Sequence, residues 1–165
     1  MATSDDSCPS FIDKTVDFPD GISYELLEPL TNFRKNQDGT PAEGRIVFTC
    51  RQVTGHQSGT EYVVKVKVQV PYPGELPEEG PSTATASELE AFETFTKAKN
   101  SYVPHLVAFK KDVQGVEGMV PGGFITYQIM TKMAGQNLHE LRHWYWGASV
   151  EEREEIVHGF LVALR

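Results

Sequence analysis

Apolar side chains recur at every second position from Tyr62 to Val70, in the stretch Glu-Tyr-Val-Val-Lys-Val-Lys-Val-Gln-Val. Successive side chains on a strand point to opposite faces, so Tyr62, Val64, Val66, Val68 and Val70 share one face and Val63, Lys65, Lys67 and Gln69 the other. The β-branched content predicts a strand with one face made for a core and one face carrying two lysines. Residues 45–53 alternate in the same way, with Ile46, Phe48 and Cys50 against Val47, Thr49 and Arg51. The Thr54-Gly-His-Gln-Ser-Gly59 turn joins the two as an antiparallel hairpin. Before them, Tyr24, Leu26, Leu27 and Leu30 predict a first strand within residues 22–30, and the turn formers of 35–44 predict a loop.

Residues 71–83 hold four prolines, two glycines and three glutamates and read as an exposed loop. A helix follows, capped by Thr85 or Ser87, with Leu89, Phe92 and Phe95 as its apolar stripe through about Lys99. Two more strands are expected over 106–113 and 124–130, separated by a Gly-rich turn. Ala134-Gly135 breaks the chain before a short helix over 138–146. Ser149 then opens the last helix in a capping box with Glu152, and Ile156, Val157, Phe160, Leu161 and Leu164 form its stripe. Residues 1–20, acidic and broken by Pro9 and Pro19, read as a poorly ordered tail that docks through Phe11, Ile12 or Phe18. The fold class is α+β: a five-stranded antiparallel sheet with one packed helix, plus C-terminal helices.

Composition narrows the function classes. At 165 residues the chain suits one domain with a proper core, and a net charge of -8 argues against a nucleic-acid partner. No apolar run approaches a membrane span, so no membrane partner is expected. Two cysteines, Cys8 and Cys50, without C-x-x-C spacing favour a reducing compartment and exclude a cysteine-based zinc site. The first residues show no secretory signal, so the expected location is intracellular, cytoplasmic or nuclear.

With the elements in this order, the chain resembles the small lobe of the protein-kinase-like superfamily, including its divergent aminoglycoside- and choline-kinase-like branches. Tyr62-Val63-Val64-Lys65 is similar to the family's V-A-I-K strand, whose lysine meets the α- and β-phosphates of the nucleotide. The resemblance implies that Lys65 takes that role, with Val63, two residues earlier on the same face, lining the adenine pocket. Lys67 does not fit, because Lys65 would then occupy the adenine wall. Glu88, with Phe92 and Phe95 four and seven positions on, resembles the glutamate that pairs with the lysine, and Glu90 is the alternative. Residues 129–135, Ile-Met-Thr-Lys-Met-Ala-Gly, resemble the hinge. Met130 would guard the back of the pocket, and the backbone from Thr131 to Met133 would meet the adenine edge. The implied layout is a small lobe over 21–135 and post-hinge helices over 136–165. The implied cofactor is ATP with magnesium.

Two departures limit what the resemblance implies. Only Gly39 and Gly44 stand in the loop after the first strand, where the family places closely spaced glycines against the phosphates. Phosphoryl transfer in the family needs an aspartate to orient the acceptor and another to hold magnesium, and the last aspartate here is Asp112. No transfer is expected from this chain alone, as a fragment or a pseudokinase-like binder, and no residue is assigned a catalytic role. Simpler readings stand beside these: Lys65 and Lys67 as solvated strand residues, Glu88 as a capping-box partner of Thr85, Met130 as core filling.

Two other classes compete. The Trp144-Tyr145-Trp146 cluster and the apolar stripe of the last helix suit an interaction module without nucleotide, in which a protein partner covers that helix. His139-Glu140-Leu141-Arg142-His143 matches the H-E-x-x-H zinc protease motif. A charged Arg142, and Trp146 and Ser149 where the extended motif needs glycine and histidine, argue against it, so no metal ligand is assigned.

Overall fold

In the computed structural model, which describes residues 9, 10, 12–37, 39, 41–135 and 142–163, the alternating segment is an inner strand of an antiparallel sheet. The strands are β1 (Thr15–Asp17), β2 (Ser23–Pro29), β3 (Arg34–Asn36), β4 (Glu43–Gln52), β5 (Glu61–Gln69), β6 (Leu106–Val113) and β7 (Phe124–Thr131). The helices are α1 (Thr83–Lys97), α2 (Arg142–Gly147) and α3 (Val150–Ala163). Strand order is β1-β2-β4-β5-β7-β6, with β3 added on β4. The sheet has seven strands, not five. The two extra ones, β1 and β3, are three residues each, too short to show a period of two.

The chain divides into two units, Met1–Lys132 and Met133–Arg165. In the first, the apolar face of β5 is the core as expected: Tyr62, Val64, Val66, Val68 and Val70 are at most 7% exposed. Across the ladder they stand beside Ile46, Phe48 and Cys50 on β4 and Ile125, Tyr127 and Ile129 on β7. The antiparallel sheet is curled. Ile12, Val16, Phe18 and Phe33 join the cluster, and Phe18 meets Tyr24 edge to face at 5.3 Å. The segment expected to be a poorly ordered tail therefore supplies an edge strand and core side chains over its described part. Phe11 lies outside the described residues. Burial pushes the Cys50 thiol up to about 12, which leaves it an inert core side chain.

Helix α1 begins earlier than the sequence suggested. Its N-cap is Ser82, whose Oγ accepts from the Thr85 amide at 3.3 Å, not Thr85 or Ser87. Its stripe is shallow: Leu89 and Phe92 are half-buried, Phe95 is exposed, and Thr85 is its buried residue. None of its side chains belongs to the hydrophobic core cluster. In the second unit, the Ser149 amide donates to Glu152 Oε2 at 2.8 Å and Ser149 Oγ accepts from the Glu152 amide at 3.2 Å, the reciprocal capping box read from the sequence. Among the described residues no helix is long and apolar enough to cross a membrane.

Candidate functional site

Register places the second face of β5 against matching positions on both neighbours. Val63 stands opposite Thr49 and Met130, Lys65 opposite Val47 and Gln128, and Lys67 opposite Arg45 and Thr126. Residues directly opposed across a ladder share a face, so Val63, Lys65, Lys67, Gln128 and Met130 form one surface. Glu88, on the second turn of α1, reaches this surface. Its Oε1 accepts from Lys65 Nζ at 2.5 Å and its Oε2 from Lys67 Nζ at 2.6 Å. Of the two glutamates left open by the sequence, Glu88 makes the pair, and Glu90 is exposed.

A polar chain continues from Lys67. Its ammonium also donates to Thr85 Oγ1 at 2.8 Å, and that hydroxyl donates to Glu43 Oε2 at 2.6 Å. Glu43 Oε1 accepts the amide of the cap residue Ser82 at 2.7 Å. Burial acts to raise the Glu88 carboxyl, but the hydrogen bonds and charges of Lys65 and Lys67 outweigh it and hold the group below the usual carboxylate value. Two ammonium groups against two carboxylates make the chain neutral as a whole, while Lys65, at its open end, is the less enclosed cation. Its side chain is 17% exposed against 7% for Lys67.

The remaining predicted positions are placed unevenly. Val63 is half-buried and Met130 is buried opposite it, giving an apolar floor beside Lys65. The Thr131 amide donates to the His105 carbonyl at 3.0 Å, and its Oγ1 accepts the His105 amide at 2.9 Å, so that amide is committed to the sheet. Met133 belongs to the second unit. Gly44 is not a phosphate-contacting glycine. It lies under Phe33 and Val70, where a Cβ would come within 2.2 Å of Phe33 Cζ. Lys67, Thr85 and Glu43 could not be read as acting together from their positions in the chain, since they are scattered over β4, β5 and α1. Gln128 was likewise missed: its side-chain Oε1 and Nε2 are buried without a hydrogen-bond partner among the described residues. Its signal was a glutamine amid the buried positions of an inner strand.

A groove of about 480 Å³ lies at the C-terminal end of β5, lined by Pro71, Tyr72, Pro73, Met119 and Val120. It includes none of the predicted site residues, and its Glu75 carboxylate accepts the Ala42 amide at 3.0 Å. His139, Glu140 and Leu141 of the protease-like motif lie outside the described residues. Among the described residues no group of three or more His, Cys, Asp or Glu side chains is arranged to hold a metal ion. No protein family, no curated protein and no solved structure matches the chain.

Proposed function

We propose that the first unit is a kinase-like small lobe that contacts a nucleotide through Lys65, with ATP and its magnesium as the ligand. The observation that carries this reading is the pair between Lys65 on an inner strand and Glu88 on the following helix, which is the lysine–glutamate arrangement that positions a nucleotide's phosphates in the kinase family. Val63 and Met130 would take the adenine face, and the backbone after the Thr131 amide its edge. With the pair kept, the Lys65 ammonium has further donors to offer an α- or β-phosphate oxygen. The proposal stops at binding, because this sequence carries no aspartate after Asp112 to orient an acceptor or hold a transferring metal.

Calorimetric titration with Mg-ATP tests the proposal. Saturable binding is expected, weakened about ten- to hundredfold by Lys65→Ala, since a hydrogen bond to a charged group contributes about 1.5–3 kcal/mol. Equal affinity in the variant would remove Lys65 from the site. A second reading, a module covered by a protein partner, has one observation in its favour: Trp146, Phe160 and Leu161 are exposed in the second unit. Association that grows with concentration, without any nucleotide response, would favour it.

A further inference from the structure

Glu88 offers one oxygen to each lysine, and the two lysines are not equivalent. Lys65 is held, among the hydrogen bonds of the described residues, by Glu88 alone. Lys67 is enclosed, and its ammonium is committed to both Glu88 and Thr85. Thr85 passes the connection to Glu43, and Glu43 to the Ser82 amide at the helix cap. Every one of these links ties the first two turns of α1 to β4 or β5. Apolar packing does little of this work, because α1 contributes nothing to the core cluster and Phe95 remains exposed. The first two turns of α1, and with them the carboxylate of Glu88, are therefore held by a polar clamp, while its last turn is tied to β6 by Thr96 Oγ1, which accepts the Leu106 amide at 2.8 Å.

The geometry points to Lys67 as a positioning residue: it holds Glu88 and the start of α1 on the sheet, so that the carboxylate stays in place to orient Lys65 toward a phosphate. With Lys65 alone, one ammonium would have to balance both a partly buried carboxylate and a phosphate. With Lys67 in place, Glu88 keeps a second charged partner while Lys65 meets the phosphate, and the helix stays docked with the pair intact. The part of this inference that concerns phosphate rests on the nucleotide reading above. The clamp itself does not.

The experiment separates the two. Hydrogen exchange of α1 amides is measured in the full chain, without nucleotide, for the unmodified protein, Lys67→Met, Lys67→Arg and Lys65→Met. Lys67→Met is expected to speed exchange in α1 by about tenfold or more while β4, β5 and β7 stay protected, because local opening sets the exchange rate. Lys67→Arg should restore most of the protection, and Lys65→Met should leave α1 nearly unchanged. In the same set, Mg-ATP affinity should fall with Lys67→Met by about the factor by which the docked population falls, since binding requires that population. Unchanged α1 exchange in Lys67→Met overturns the inference. Should Lys67→Met lose protection throughout the sheet, Thr85→Val, which removes only the bridging hydroxyl, takes its place: faster exchange confined to α1 supports the clamp and unchanged exchange overturns it. Absence of Mg-ATP binding by the unmodified chain, with α1 responding as described, overturns the nucleotide role and leaves the clamp.

Discussion

Glu88 is the residue on which both lysines depend, and its environment makes a sign-definite prediction. Its folded value lies below the ordinary one despite burial, because Lys65 and Lys67 favour the carboxylate. A depressed carboxylate contributes stability that is fully present above the unfolded value of about 4.3 and is lost as pH falls through the folded value. Glu88→Gln leaves two ammonium groups facing a neutral amide. Its cost at pH 7 is expected to be about 2–3 kcal/mol, below the about 3–5 kcal/mol of a fully buried pair because the side chain keeps 26% exposure. Urea unfolding from pH 7 to pH 3 should show the gap between the two proteins narrowing below about pH 4.3. The Lys132 contact lowers Glu61 and the Lys110 contact lowers Asp112, so both proteins weaken in acid and only their difference isolates Glu88. A constant gap across the range would mean that Glu88 is not held by charge. Gly44 gives a second prediction at this scale. Adding a methyl group there pushes into Phe33 and Val70, and Gly44→Ala should lower stability by about 1–3 kcal/mol without touching the lysines.

Among the elements, β5 was legible because its alternation is long and β-branched, and its length and both faces followed from that alone. The β4–β5 hairpin was legible for the same reason, and the α3 cap because a capping box is a local signal. What covers the apolar face of the sheet was legible only in part: Ile12 and Phe18 read as docking side chains, while Val16 and the strand that carries it did not. Ile12, Val16 and Phe18 sit among prolines and aspartates, and a segment of that composition gains its order only from packing against Tyr24 and its neighbours. Phe18→Ala is therefore expected to cost about 3–5 kcal/mol in urea unfolding, as for an aromatic removed from a core. A change within about 0.5 kcal/mol, typical of surface positions, would mean that the segment behaves as a tail after all. The attachment of α1 was misread for a related reason. Leu89, Phe92 and Phe95 have helical spacing, but spacing does not say how deep a stripe sinks, and here the polar residues Thr85 and Glu88 make the tight contacts. The pairing of Lys65 with Glu88 came from the family resemblance. The second lysine and Glu43 required coordinates, because three elements must meet before their side chains do.

At the scale of the whole molecule, the first unit brings a lysine, its glutamate and an apolar floor to one surface of the sheet. The sequence carries no aspartate after Asp112, and on the proposed kinase-like reading radiolabelled ATP should pass no phosphate from this chain to itself or to added hydroxyl compounds. The central claim is binding, and a thermal melt with and without Mg-ATP, repeated on Lys65→Ala, tests it most directly. A ligand at a hundredfold above its Kd stabilises the folded state by about 2.7 kcal/mol, a rise of about 5–10 °C in Tm for a protein of this size. That rise is expected in the unmodified chain and is lost in Lys65→Ala. A cooperative melt that Mg-ATP does not move, or moves equally in both proteins, would contradict the binding claim.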